Sequence, residues 1–383
     1  MTDAKKAPPE AASDLAPGEA GWMYPPMAAD VREVLDYIGP CRDGRCPVPK
    51  LHPYYHAEVL VPPGEPQAAR VPCMPVVPVQ TDVGGLMVIG DYPTARFTAR
   101  GKGNTPIGFD EGDGGPDGNQ FFVPIADIWA PMQDASYFDG YKVRAVASGT
   151  YFARHYMDPA GLGPQTSVWM TNLIKCYLFH QQNVDAYRAL GWTDIQVEES
   201  YTKVYSAADV CWKRNLVREI DVARPKLVIT VGEWVTTVTQ GLPQDLDGPG
   251  RDRAKKAYMA LQGVPLRAGV EAEQEKTLGC PRIEPFFGLD MMHLLHPERV
   301  MIAQTTLQTC DWTTYESDDD YRAKVDDAGT SLESHLTSMK NLNAFLSEVG
   351  LVEKGASPPP DKALANLVAI WKAHGGTTLD LNG

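Results

Sequence analysis

The chain has 383 residues, of which 43% are hydrophobic, 22% charged and 9% aromatic. That composition supports a sizeable core and excludes a chain disordered over most of its length. Thirty-five Lys and Arg against 49 Asp and Glu give a net charge of −14. This excludes a protein held to nucleic acid by bulk charge, while leaving room for a local basic groove.

Residues 1–25 are rich in Ala, Pro and acidic side chains and read as a flexible tail without the apolar segment of a secretory signal. No apolar run approaches the roughly 20 residues a membrane helix needs, so the expected compartment is the cytoplasm. There the seven cysteines read as metal ligands or buried apolar residues rather than as disulfides.

In VREVLDYI, Val31, Val34, Leu35 and Ile38 fall on one helical face, and Gly39-Pro40 stops the helix. A Pro-rich stretch through Pro78 reads as loop with short extended pieces. Leu86–Ile89 is a short apolar run ending in Gly90, expected as a buried strand feeding a turn. Residues 101–118 form a glycine-rich acidic loop, and Val168–Ile174 is a second strand candidate. Residues 207–222 have helical spacing and stop near Arg224-Pro225; Leu227–Gly232 and Met291–Leu295 are the third and fourth strands. Strands alternating with helices predict an α/β fold with a mostly parallel sheet, whose ligands bind at the carboxyl ends of the strands. Those ends carry Gly90-Asp91, Asn172 and His296. Residues 316–327 read as an acidic, solvated stretch in a helical C-terminal region.

Cys41 and Cys46 form C-x4-C after the first helix; Cys176 follows the second strand and Cys211 lies on the helix before the third. Four thiolates from separate segments suit an iron–sulfur cluster or a zinc ion, and Cys176 and Cys211 equally suit buried apolar positions. A local alternative is a zinc site of Cys41, Cys46, His52 and His56, whose central gap is far shorter than the about 12 residues of a zinc finger. Cys73, Cys280 and Cys310 fit no pattern and read as packing residues. The loop at 101–118 has neither calcium-loop spacing nor the order of a P-loop, and reads as a lid or partner surface. Lys213, Arg214, Arg218, Arg224 and Lys226, with Arg251, Arg253, Lys255 and Lys256, can form a basic face or a solvated one.

The order of these motifs resembles the iron–sulfur branch of the uracil-DNA glycosylase superfamily. VREVLDYIGPCRDGRCPV resembles its N-terminal helix and paired cysteines, LMVIGDYPT its first motif, and FFVPIADIW the following aromatic segment, with Phe122 at the aromatic position. VWMTNLIKC resembles its Thr-Asn-x-x-Lys-Cys strand, CWKRNLVREIDVARPKLVITVG its fourth cysteine, helix and strand, and HLLHPERV its last motif. The resemblance spans about residues 31–300.

It implies a three-layer α/β/α domain over residues 26–305 with a central four-stranded, mostly parallel sheet. Insertions lie near 95–118, 178–206 and 240–285, and residues 306–383 form an acidic, mainly helical extension. It also implies a structural [4Fe–4S] cluster on Cys41, Cys46, Cys176 and Cys211, with zinc as the alternative, and DNA, single- or double-stranded, as the partner. The implied activity is hydrolysis of the N-glycosidic bond of uracil or a modified pyrimidine after base flipping. Asp91 would position water or stabilise the sugar cation, and His296 would donate to the departing base. Phe122 would stack on the base and Asn172 would read its edge, with Gly90 and Tyr92 completing the base-binding set.

Taken singly, the same residues have structural readings: Asp91 and Thr94 as helix caps, Phe122 as core, Asn172 as a strand-end partner of the backbone, and His296 as a turn residue. Tyr92 stands where the family has a small residue, Thr94 where it has glycine, Asp91 where it has Glu and Glu298 where it has Ser. These departures keep two other readings open: a glycosylase-fold protein that binds DNA or a modified base without excision, and a scaffold whose acidic extension or insertions bind protein.

Overall fold

The structure, a computed structural model, describes residues 28–38, 45–46, 78, 80–92, 136–138, 143–145, 151–163, 165–176, 201–240, 258–270, 288–355, 358 and 361–378. Among the described residues eight strands are formed, by Gln80–Thr81 (β1), Leu86–Gly90 (β2), Ser136–Phe138 (β3), Val143–Ala145 (β4), Val168–Asn172 (β5), Leu227–Val231 (β6), Pro265–Leu266 (β7) and Met291–Leu294 (β8). The main helices are Ala29–Ile38 (α1), Tyr201–Cys211 (α2), Val217–Ala223 (α3), Glu233–Thr239 (α4), Pro297–Gln308 (α5), Trp312–Ser317 (α6), Asp319–Glu348 (α7) and Lys362–Ala373 (α8). Ala153–Met157 and Trp212–Leu216 are π-helical, the second joining α2 to α3.

Six strands form one mixed sheet in the order β1-β5-β2-β6-β8-β7. Its four central strands are parallel: β2 pairs with β5 and β6, and β6 with β8. These are the four strands expected from the apolar runs. The two edge strands are antiparallel additions, β1 on β5 and β7 on β8. Each has only two residues, too few to show any periodicity in the sequence. β3 and β4 form a separate antiparallel pair.

Continuous apolar strands arise because helices cover both faces of the sheet. Side chains alternate between two cores. Met87, Ile89, Trp169, Val228 and Met291 pack with α1 (Val31, Leu35), α2 (Ala207, Ala208), α3 (Ile220, Ala223) and α4 (Val235, Val238). Leu86, Val88, Val168, Ile229, Met292 and Leu294 pack on the opposite face with Phe152, Tyr156 and Met157, α5 (Val300, Ala303, Leu307), α7 (Val325, Leu332, Leu342, Phe345) and α8 (Leu364, Trp371). Each of the Val, Leu, Ile, Met and Phe side chains among them contributes roughly 1.5–3 kcal/mol through burial. The face expected on α1 is the buried one: Val31, Val34, Leu35 and Ile38.

The C-terminal region is helical, as expected, and it covers one sheet face. Most of residues 316–327 are exposed, but Val325 and Asp326 are buried. The acidic run also has a local role at the start of α7. Asp318 caps the helix by accepting from the Tyr321 N–H (3.0 Å), and Asp319 and Asp320 sit in its first turn, where the helix dipole favours negative charge. Asp326 accepts from Tyr315 Oη (2.8 Å) and Trp371 Nε1 (2.7 Å), tying α6, α7 and α8 together. Among the described residues no helix is long and apolar enough to cross a membrane.

Candidate active site

The carboxyl ends of β2, β6 and β8 open onto a cavity of about 660 Å³. Asp91, Tyr92 and His296 line it, with Glu233 and Trp234 of α4, Tyr258, Glu298 and Arg299 of α5, and Lys324 of α7. Three residues named from the sequence thus meet at one site, although 205 positions separate Asp91 from His296 in the chain.

Asp91 directly follows β2. Its Oδ1 accepts from the Val235 N–H (2.8 Å), so the carboxylate sits at the open N-terminus of α4. Gly232 makes this approach feasible. Its φ of 128° disfavours other residues, and a Cβ there would lie 2.3 Å from Asp91 Oδ2. The residue is half-buried at the cavity wall. Burial raises its pKa from 3.8 to about 7; the backbone hydrogen bond from Val235 opposes the shift and the charge of Glu233 adds to it. The capping role weighed for Asp91 is therefore real, but the helix it caps lies more than 140 residues downstream. Desolvation, outweighing that capping bond, leaves the group poised to exchange a proton near neutral pH.

His296 is the N-cap of α5, with Pro297 at the first helical position. Its Nδ1 accepts from the Glu298 N–H (3.2 Å). Burial lowers the pKa of the ring, so the neutral tautomer carries its proton on Nε2, which can donate. The other histidine of HLLHP, His293, is a core residue of β8. Its Nδ1 meets Thr230 Oγ1 (2.5 Å) and Thr236 Oγ1 (3.2 Å), and burial lowers its pKa to about 3.

Asn172 ends β5 in register with Gly90. It does not line the cavity; its side-chain oxygen packs against Gly90, where a Cβ would lie 2.5 Å from it. The strand end is held by a buried network. Lys175 folds back to donate to Thr171 Oγ1 and to the Asn172 carbonyl (2.6 Å), and pairs with Glu219 of α3, which also accepts from Trp169 Nε1 (3.0 Å). This gives Thr-Asn-x-x-Lys a physical reason: the lysine four residues on closes the turn that presents Asn172. Lys175→Met leaves the Glu219 charge uncompensated in the core. A loss of about 3–5 kcal/mol is expected in chemical denaturation, whereas a change below about 1 kcal/mol would contradict the network's role.

Tyr258 lies within the insertion near 240–285 and was not marked by any motif. It is buried, hydrogen-bonded to the His296 backbone and close enough to Asp91 to feel its charge; burial raises its pKa. Its neutral phenol joins the cavity wall.

Phe122, Thr94, Cys41, His52, His56 and the 101–118 loop lie outside the described residues, as do Arg251, Arg253, Lys255 and Lys256. Cys46, Cys176 and Cys211 are all buried in the core on the α1–α4 face. Three of the four cysteines named from the sequence thus lie in one core, a placement that buried apolar cysteines share. Among the described residues, no three His, Cys, Asp or Glu side chains form a metal-holding group. Of the expected basic face, Arg214 and Arg218 stack on the Tyr37 ring at 4.5 and 3.9 Å, and Lys213 pairs with Asp209 at 2.7 Å. The sequence matches no protein-family model and no curated protein.

Proposed function

We propose that the chain is a DNA glycosylase of the iron–sulfur uracil-DNA glycosylase class, with that class's three-layer domain. It hydrolyses the N-glycosidic bond of uracil or a modified pyrimidine extruded from DNA. The observation that carries the reading is the meeting of Asp91 and His296 in one cavity, in complementary protonation states. Asp91, with a pKa of about 7, is a base that can take a proton from water aimed at the sugar carbon, and once ionised it stabilises the oxocarbenium-like sugar. His296, neutral with its proton on Nε2, donates to the pyrimidine oxygen on which negative charge develops. The bond from sugar carbon to base nitrogen breaks, water oxygen takes its place, and the base leaves as an anion held by His296.

Tyr92 and Tyr258 supply flat walls and hydroxyl donors to the base. Tyr92 places a phenol at a position that is small in the family, adding a hydroxyl that can pair with a further polar group on the base. Cys41, Cys46, Cys176 and Cys211 would hold the [4Fe–4S] cluster. Its contribution would be structural, with no part in the bond cleavage.

The test is single-turnover cleavage of oligonucleotides carrying uracil, 5-hydroxymethyluracil or other modified pyrimidines, followed by alkali. Strand breaks at the modified position are expected, with His296→Ala slower by about 10²–10³-fold, the typical loss for one preorganised donor. Absence of breaks on every substrate would leave a protein that binds without excision.

A further inference from the structure

One wall of the cavity comes from a part of the chain with no counterpart in the resemblance. α7 presents Lys324, Asp327 and Ser331 to it, spaced as one helical face. Arg299, three residues after His296, donates to Asp327 Oδ1 and to Ser331 Oγ, each at 3.3 Å. These contacts fasten α5 to α7 and match the arginine's charge locally. Lys324, one turn before Asp327, has no ion pair or hydrogen bond among the described residues. It is therefore a cation at the cavity whose charge is not matched by a direct partner.

The remaining carboxylates of the lining are Asp91, Glu233 and Glu298, beside the neutral His296, Tyr92 and Tyr258. A ligand bringing several phosphates to this cavity would face those acids, whereas a ligand with a single phosphate finds its counter-charge at Lys324. The cavity's roughly 660 Å³ is the size of a site for one small ligand. We infer that Lys324, supported by Arg299, seats the phosphate of one pyrimidine nucleotide whose base lies toward Asp91 and His296, so that the preferred ligand is a free or strand-terminal nucleotide rather than one inside a duplex. This rests on reading the cavity as a base pocket. It assigns α7 a role in specificity in addition to covering the sheet.

The experiment is calorimetric titration of the full chain with dUMP, dCMP and dTMP and with the matching nucleosides. In parallel, short single strands with and without a 5′-phosphate, and a blunt duplex, are titrated. At least one nucleotide is expected to bind about tenfold more tightly than its nucleoside, as one charge-assisted contact provides. The gap closes in Lys324→Ala, returns in Lys324→Arg, and is unchanged in Lys340→Ala on the same helix outside the cavity. Discrimination limited to 5′-phosphorylated strands identifies strand ends as the source; discrimination among free nucleotides identifies the monomer pool. Equal affinity for nucleotide and nucleoside, a gap that survives Lys324→Ala, or no binding at millimolar concentration overturns the inference. Base release from internal duplex positions without phosphate discrimination would sink this inference and keep the glycosylase reading. Phosphate discrimination without base release would do the reverse.

Discussion

Asp91→Asn is expected to slow turnover by orders of magnitude while making the protein more stable at pH 8. The two effects have one cause. In the folded chain partial burial raises the pKa of the carboxyl from 3.8 to about 7, so the folded state holds its proton more tightly than the unfolded state does. Below pH 4 both states are protonated and the group contributes nothing to the difference. As pH rises from 4 to 7 the unfolded chain releases its proton first, and folding stability falls. Above 7 the cost of the buried charge is fully present, on the order of 4 kcal/mol before solvent relaxation reduces it. Asparagine keeps an oxygen for the Val235 N–H and removes the charge. Thermal melts should therefore show Asp91→Asn more stable than wild type at pH 8, with the gain gone at pH 4. Turnover should fall by about 10²–10⁴-fold, the usual contribution of a general base. The wild-type rate should rise with pH through about 7 and then level, because Asp91 must be ionised to accept a proton. A stabilising substitution that destroys activity marks a group retained for chemistry. A variant that lost stability at pH 8 would instead make Asp91 chiefly the cap of α4.

Removal of residues 309–383 is expected to eliminate cooperative folding. That segment carries Tyr315, Val325, Leu332, Leu342, Phe345, Leu364 and Trp371, which share one core with Leu86, Val88, Ile229 and Met292 of the sheet. Without it, an apolar face of a central strand array is open to water, and aggregation follows. A milder form of the same test is Trp371→Ala. Trp371 is fully buried, donates to Asp326, and packs on Gly329, where a Cβ would come within 2.3 Å of the indole. Loss of the ring should cost about 3–5 kcal/mol, read as a fall in the denaturation midpoint. A truncated chain that melts cooperatively at the wild-type temperature would show that the extension is merely appended.

The legible part of the fold was the part written as continuous apolar runs. Leu86–Ile89, Val168–Asn172, Leu227–Val231 and Met291–Leu294 stand out because a strand covered on both faces must be apolar throughout. Asp91 and His296 were legible because strand ends in parallel sheets gather ligands, and each follows such an end. Tyr258 was not, because a tyrosine in an insertion carries no local signal; only its packing against the His296 backbone reveals it. The part played by α7 was hidden for a different reason. Its acidic first turn dominates the composition, while its buried positions include Ser331, Thr330 and His335, which no hydropathy pattern marks as core. Asn172 was identified at the right strand end, yet its side chain lies against Gly90, a detail set by register and not by sequence.

The central claim is that Asp91 and His296 break a glycosidic bond. The most direct measurement is chromatographic identification of free base released from modified-pyrimidine oligonucleotides at pH 6 and pH 8. A single released pyrimidine is expected, with faster release at pH 8 and release about 10²–10⁴-fold slower from Asp91→Asn. Equal release by wild type and Asp91→Asn, or no released base from any substrate, would contradict that claim.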